Sequence, residues 1–365
     1  MTPLNLGIIG YGGFGAFIHQ AWAQLDAIHV LAVADANPAR QPGGVTFYPS
    51  WQDLIADPQI DLVAVATPPS THVEIACAAM QAGKHVLIEK PLATTREDAQ
   101  RILSVRDATG RMATVDFMLR FNPIVEALHT WSRNGSFGQL RRVVVENYAQ
   151  DETLPSEHWF WNPALSGGIL VEHAVHFIDI VHACTAAPVQ RVDGVCLQRN
   201  PQQTDRTMAT VVYEDGLVAT HYHAFMRPNI FEKTSMRFVF DLAQLDIEGW
   251  IPLSGQITAL VHGENRPALT RLPDFRVVRE ESLGNGEAQL LQSGGETYQA
   301  DHLMEGTFSI PMPKSDVYTV CLQGLMSDFV AAIHDPKHQM RVTLEDGMAS
   351  LKTALRATEH AQQQG

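Results

Sequence analysis

A chain of 365 residues is longer than one hydrophobic core usually serves, so two domains are expected. Hydrophobic residues make up 45% of it and charged residues 18%, a globular balance that implies no long disordered tract. A net charge of -14, with Lys and Arg scattered, argues against nucleic acid or an anionic membrane surface as partner.

Residues 6–9 read as a short apolar strand, entered too soon for a signal peptide. Phe14, Phe17, Ile18, Ala21, Trp22 and Leu25 then fall at the three-and-four spacing of a helix face. Residues 30–34 are a second buried strand ending at Asp35, and 45–48 a third. Ser50 is placed to cap a short helix from Trp51. A fourth strand, 62–66, is closed by Thr67-Pro68-Pro69. Thr71 and Glu74 have capping-box spacing, and Gly83 suits a left-handed stop. Residues 86–88 form a fifth strand ended by Pro91. Thr94 with Glu97 opens the next helix, Gly110 ends it, and a sixth strand lies near 113–117. Buried strands alternating with helices predict an α/β Rossmann domain, a parallel doubly wound sheet over residues 1–121.

Beyond Pro123 the pattern changes. A helix near 124–132 precedes a long strand, 140–149, and another helix spans 168–184. Runs at 189–197, 207–213, 217–225, 236–241 and 245–250 read as strands in series, with Glu214-Asp215-Gly216 as a tight turn. Strands without crossover helices predict a C-terminal α+β domain, 122–365, with a large, mostly antiparallel open sheet. The stretch 252–313 carries little periodicity, and two helices, 316–334 and 344–361, close the chain. No window reaches the apolar length of a bilayer span. Cys77, Cys184, Cys196 and Cys321 lack paired spacing and read as buried thiols in a reduced compartment, so the expected address is cytoplasmic.

Gly10-Tyr11-Gly12-Gly13-Phe14-Gly15 matches the dinucleotide fingerprint G-x-G-x-x-G, and its strand-turn-helix context gives the match weight. Gly10 permits the tight turn, Gly12 lets the backbone approach a pyrophosphate, and Gly15 lets the helix pack on the strand. Asp35 is expected to accept bonds from the ribose hydroxyls, favouring NAD, while Arg40 nearby keeps NADP as an alternative. Thr67 and Pro68 end a strand at the ligand-binding edge and either line the nicotinamide or simply start a helix.

Glu89-Lys90-Pro91, preceded by Ala82-Gly83-Lys84-His85-Val86-Leu87-Ile88, resembles the Gfo/Idh/MocA family of oxidoreductases. So do Thr67-Pro68-Pro69-Ser70-Thr71-His72, Arg120-Phe121-Asn122-Pro123, and Ser166-Gly167-Gly168 leading to His176 and Asp179. The resemblance implies a C-terminal sheet that forms a subunit interface, hence a homo-oligomer (dimer or tetramer). It also implies action on a hydroxyl or carbonyl carbon of a sugar, cyclitol or polyol. It places Thr67, Pro68, His72 and Glu89 about the cofactor, with Lys90 at the nicotinamide touching the reacting oxygen. Such chemistry needs a cation for developing negative charge and a base for the proton, roles suited to Lys and His.

Glu172, His173, His176 and Asp179 lie on one predicted helix, Glu172 and His176 one turn apart. By the resemblance His176 is the acid/base, and Glu172, standing where Asp is usual, is the catalytic carboxylate that orients or charge-balances the His–Lys pair. His173 stands where an apolar residue is common, and Ala174 where Gly is. These departures leave an inositol-type substrate open. A metal is not expected, since Glu172 and His173 point about 100° apart on a helix and no Cys joins them. His158-Trp159-Phe160-Trp161-Asn162-Pro163 is aromatic-dense, and Trp159 and Trp161 read either as sugar-stacking faces or as packing. Arg120 and His173 are further substrate-binding candidates, and His221 and His223, on one face of a strand, are either weaker site candidates or solvent-facing. The expected activity is an NAD-dependent dehydrogenase or reductase of a sugar or polyol. The alternatives are an enzyme that keeps its NAD and oxidises transiently to cleave a glycosidic or C–O bond, and a non-catalytic dinucleotide sensor.

Overall fold

In a computed structural model describing residues 2–285 and 287–364, the apolar runs of the N-terminal third form six parallel strands. They are β1 (Leu4–Ile9), β2 (Ile28–Ala34), β3 (Thr46–Tyr48), β4 (Leu62–Val65), β5 (His85–Ile88) and β6 (Ala113–Val115). Their order, β3-β2-β1-β4-β5-β6, reverses between β1 and β4, and such sheets bind ligands in the crevice at that point. Every residue of β4 is buried, as a strand covered on both faces requires. Helices α1 (Gly13–Trp22), α2 (Trp51–Ala56), α3 (His72–Gln81) and α4 (Arg96–Thr109) make the crossovers.

Ser50 caps α2 by accepting from Gln52 N and Asp53 N, and Gly83 and Gly110 take φ of 84° and 63° beyond α3 and α4. Two caps differ from the sequence expectation. Thr95, one residue after Thr94, caps α4 through Asp98 N. Thr71 makes no cap with its side chain, because a 3-10 turn, Pro69–Thr71, precedes α3 and turns the hydroxyl onto Thr67 Oγ1 and Pro68 O.

The chain folds as two compact units. The first holds the residues up to Phe121, Ser156–Asp179 and Thr319–Leu355, so two segments expected in the second domain return to the first. Side-chain bonds tie them in: Arg120 Nε donates to Asp179 Oδ2, Trp22 Nε1 to Leu322 O and Thr114 Oγ1 to Val342 O. The returning segments carry α6 (Pro163–Ser166), part of α7 (Val175–Ala183), and much of α8 (Lys314–His334) and α9 (Leu344–Gln364). Two stretches, Pro163–Ala183 and Lys314–His334, do reach membrane-spanning length and apolarity, contrary to the sequence expectation. The protein itself buries 67% of the first window, as a core helix requires, and 44% of the second.

The second unit contains α5 (Pro123–Asn134) and a nine-stranded sheet. Its strands are β7 (Leu140–Gln150), β8 (Val189–Asn200), β9 (Gln203–Tyr213), β10 (Val218–Arg227), β11 (Lys233–Phe240), β12 (Ala243–Glu248), β13 (Ser254–Val261), β14 (Arg276–Ser282) and β17 (His302–Ser309). Only β7 and β10 pair in parallel; the other described pairs in this sheet are antiparallel. The hairpin β15 (Gln289–Ser293) and β16 (Glu296–Ala300) stands apart from it. The 252–313 stretch thus holds five strands. All seven residues of the edge strand β14 are exposed, so no inward apolar alternation marks it in the sequence. His221 and His223 do share a face, but it is the buried one: both are fully enclosed, with rings stacked 6.3 Å apart.

Candidate active site

The glycine loop runs from the end of β1 into α1, and each glycine meets a different constraint. Gly10 has φ of 90°, and a Cβ there would lie 2.5 Å from Ala66 O. A Cβ at Gly15 would lie 2.0 Å from Gly10 O, so helix and loop touch only because both are bare. By contrast, a Cβ at Gly12 meets nothing closer than Arg40 Nη1 at 3.6 Å, and at Gly13 no described atom lies within 4 Å. The loop is closed where it packs and open where an anion would approach the α1 amides. That arrangement fits a dinucleotide pyrophosphate.

Asp35 follows β2 and is held toward this loop. Its Oδ2 accepts from Tyr11 N at 2.8 Å and Arg40 Nη1 at 3.1 Å, and its Oδ1 from Asn37 N at 2.8 Å. Burial pushes the carboxyl up, but the bonds from Asn37, Tyr11 and Arg40 outweigh it and keep the group below its ordinary range. The Tyr11 hydroxyl hydrogen-bonds His19 Nδ1 at 2.7 Å, while Phe14 packs obliquely on Phe17.

After β4, Thr67 and Pro68 lead into the 3-10 turn. His72, wholly buried, bridges Thr67 O at 2.9 Å and Pro91 O at 2.8 Å. It therefore ties the loop after β4 to the loop after β5, which carries Glu89 and Lys90. The Lys90 ammonium donates to Glu172 Oε1 at 2.7 Å and to Glu172 O at 2.8 Å. Each side chain is only 14% exposed, so this pair is little screened by solvent. Burial lowers the proton affinity of Lys90, but Glu172 and Glu89 reverse that and hold the amine charged. Burial likewise raises Glu172, and Lys90 overcomes it, keeping the carboxylate ionised.

Glu172 lies in a π-helical turn, Leu170–Ala174, that precedes α7. The sequence predicts one regular helix here; the structure inserts a wider turn. Such turns loosen the i→i+4 ladder and recur at functional sites. Here the Glu172 carbonyl, as well as its carboxylate, meets Lys90. His173 and His176 follow on the same segment. Burial drives His173 down to about 4, and burial with the nearby Lys90 charge drives His176 well below its ordinary value, so both rings are neutral at pH 7. The His176 ring meets Phe117 edge-on at 6.3 Å.

The aromatic loop forms a 3-10 turn, Trp159–Trp161, capped by His158 Nδ1 accepting from Phe160 N. It leads into α6, which packs on the Pro69–Thr71 turn. Trp161 is buried against Phe160, while Trp159 keeps a half-exposed face. Arg120 is not brought to the Lys90 cluster. Its guanidinium is bound by both Asp179 oxygens, Asp346 Oδ1 and Arg341 O. Asp346 and Asp116 were not singled out in the sequence. Asp116 had a positional signal: it directly follows β6 at the carboxyl edge of the sheet. Asp346 had none, because 226 residues separate it from Arg120. Among the described residues no group of three or more His, Cys, Asp or Glu could hold a metal ion.

Residues 4–117 match the family described as oxidoreductase family, NAD-binding Rossmann fold, and residues 125–238 match the GFO/IDH/MocA C-terminal domain. Levoglucosan dehydrogenase of Pseudarthrobacter phenanthrenivorans is 31% identical over 197 residues, 49% of this chain and 50% of that protein. Inositol 2-dehydrogenase 2 of Saccharopolyspora erythraea is 34% identical over 186 residues, 48% and 52% of the two chains. The match thus spans about half the length of these relatives. A solved levoglucosan dehydrogenase, in complex with NADH, superposes with a TM-score of 0.78 at 19% identity, over 100% of this chain and 98% of that one, a likeness of fold.

Proposed function

The chain belongs to the Gfo/Idh/MocA oxidoreductase family, and from that premise we propose that it is an NAD-dependent dehydrogenase or reductase of a sugar, cyclitol or related polyol. The observation that carries this reading is the buried Lys90–Glu172 pair, followed on the same helical segment by two neutral imidazoles. The glycine loop (Gly10, Tyr11, Gly12, Gly13, Phe14, Gly15) and Asp35 hold the cofactor. Thr67, Pro68 and Glu89 frame it, and His72 braces that frame. When bound, the nicotinamide supplies the hydride acceptor or donor.

The chain's own residues supply the rest. Lys90 keeps a positive charge beside the reacting oxygen, where negative charge develops as the hydroxyl becomes a carbonyl. Glu172 fixes the ammonium through two bonds, and its charge balance keeps the amine protonated despite burial. His176, held neutral, takes the hydroxyl proton in oxidation and returns it in reduction. His173 is a second buried, neutral imidazole on the same segment. Trp159 offers a face to a sugar ring, a task to which buried Trp161 and fully engaged Arg120 are not suited.

The names of the relatives make levoglucosan and inositols the first substrates to try. The second unit supports self-association as a dimer or tetramer, since exposed Val195 and Met208 lie opposite one another on β8 and β9 with Leu197 nearby. Four free cysteines support a reducing, cytoplasmic location.

The test is Lys90→Met and His176→Phe, assayed by NADH fluorescence titration and by reduced-nicotinamide absorbance on a sugar and polyol panel. Each variant should lose about 100-fold or more in kcat with NADH affinity kept within a few-fold. Activity unchanged by both substitutions would sink the assignment. Tightly retained cofactor without net redox turnover would favour transient oxidation, and binding with no chemistry would favour a sensor.

A further inference from the structure

β5 and β6 are parallel neighbours with Ile88 opposite Val115. The next residue of each strand, Glu89 and Asp116, therefore leaves the sheet side by side at its carboxyl edge, and Asp116 N donates to Ile88 O at 2.8 Å. Asp116 is 1% exposed. Its Oδ1 accepts from Met118 N at 3.2 Å, but among the described residues no N–H or O–H reaches its buried Oδ2. The group beside it is the Glu89 carboxyl. Two ionised carboxylates have no proton with which to bond each other, and a buried pair of like charges is strongly disfavoured.

We infer that Glu89 and Asp116 form a proton-sharing acid pair that positions Lys90 and sets the charge behind its ammonium. One carboxyl donates and the other accepts, so the pair carries a single negative charge. The charged and titratable groups facing it are Lys90 on the loop after β5, Glu172 on the π-turn, and the Cys321 thiol on α8. Lys90 and Glu172 neutralise one another, leaving the pair's charge as the surplus. Burial raises both acids, Asp116 to about 7 and Glu89, with the Asp116 charge added, well above its ordinary range, so the pair first ionises near neutrality and gives up the shared proton only at higher pH. Release adds a second negative charge near Lys90 and tightens its hold on its own proton. The pair thus keeps the ammonium charged on the alkaline side. These are positioning residues acting through Lys90, and their value to catalysis depends on the dehydrogenase reading above.

The test reads the pair without substrate or cofactor. Infrared difference spectra of the full chain, taken in steps from neutral to alkaline pH, should show a protonated-carboxyl stretch that fades as pH rises. The isosteric variants Glu89→Gln and Asp116→Asn should each abolish it, while Glu172→Gln should leave it. The Lys90 13Cε resonance, assigned through Lys90→Arg, should titrate about one pH unit lower in both acid-pair variants, a tenfold loss of proton affinity. A wild-type spectrum without the band, or a band surviving both substitutions, would overturn the shared proton. A band that behaves as expected beside an unmoved Lys90 titration would overturn the action on Lys90. Neither readout requires turnover, so failure of the dehydrogenase assignment would leave both intact and be told apart.

Discussion

Two backbone amides and Arg40 fix the Asp35 carboxylate beside the glycine loop. An anion there favours two free ribose hydroxyls and repels a 2′-phosphate. Arg40 is half exposed and could leave Asp35 for such a phosphate at little cost. Asp35→Ser is therefore expected to weaken NADH binding by about tenfold, from loss of about 1.5 kcal/mol of charge-assisted hydrogen bonding, and to improve NADPH binding. Arg40→Ala should weaken NADPH while leaving NADH within a few-fold. Fluorescence titration of both variants decides it; an unchanged NADH to NADPH ratio in Asp35→Ser would remove Asp35 from cofactor selection. Position and type of residue made Asp35 and Lys90 legible in the sequence, since each follows a buried strand. The pairing of Lys90 with Glu172 was legible only through the family resemblance, because 82 residues separate the two.

Among the elements, the β1–α1 turn shows how the same residue type does two jobs. Gly15 is forced by contact: a methyl group there would meet Gly10 O at 2.0 Å. Gly13 has open space around its missing Cβ among the described residues. Gly15→Ala is expected to cost about 3 kcal/mol or more and to abolish NADH binding. Gly13→Ala should change stability by about 0.5 kcal/mol at most, since Ala is a good helix former at that start. Thermal melts and NADH titration separate the two, and equal effects would contradict the packing argument. The π-turn at Leu170–Ala174 was invisible to periodicity, because Val, Ile and Leu around it fit an ordinary helix. Within it the Glu172 carbonyl accepts from Lys90, a contact remote in sequence.

At the scale of the molecule, burial of neutral imidazoles links folding to pH. His221 is fully enclosed, neither ring nitrogen has a hydrogen-bond partner among the described residues, and burial with nearby His182 and Arg142 lowers it to about 3. Its folded value lies below the ordinary 6.5, so the unfolded chain binds the extra proton and stability falls as pH drops from about 6.5 toward 3. His221→Leu removes that liability. Relative to wild type, the variant should gain about 1.4 kcal/mol for each pH unit below 6.5 until the folded value is reached. Urea midpoints at neutral and acid pH measure this, and a pH-independent difference would refute it. The raised acids Asp116 and Asp179 work in the opposite sense, so the variant-minus-wild-type difference is the meaningful quantity. The sequence by itself determined the alternation of strand and helix, the glycine fingerprint, the acid after β2, the lysine after β5 and the change to serial strands, because these are local patterns of period and spacing. Tertiary structure alone decided that 156–179 and 319–355 return to the first unit, that Arg120 is bound by Asp179 and Asp346, and that Glu89 meets Asp116. Those outcomes depend on which distant groups share one low-dielectric space, and burial, which sets their charges, exists only once the chain has folded.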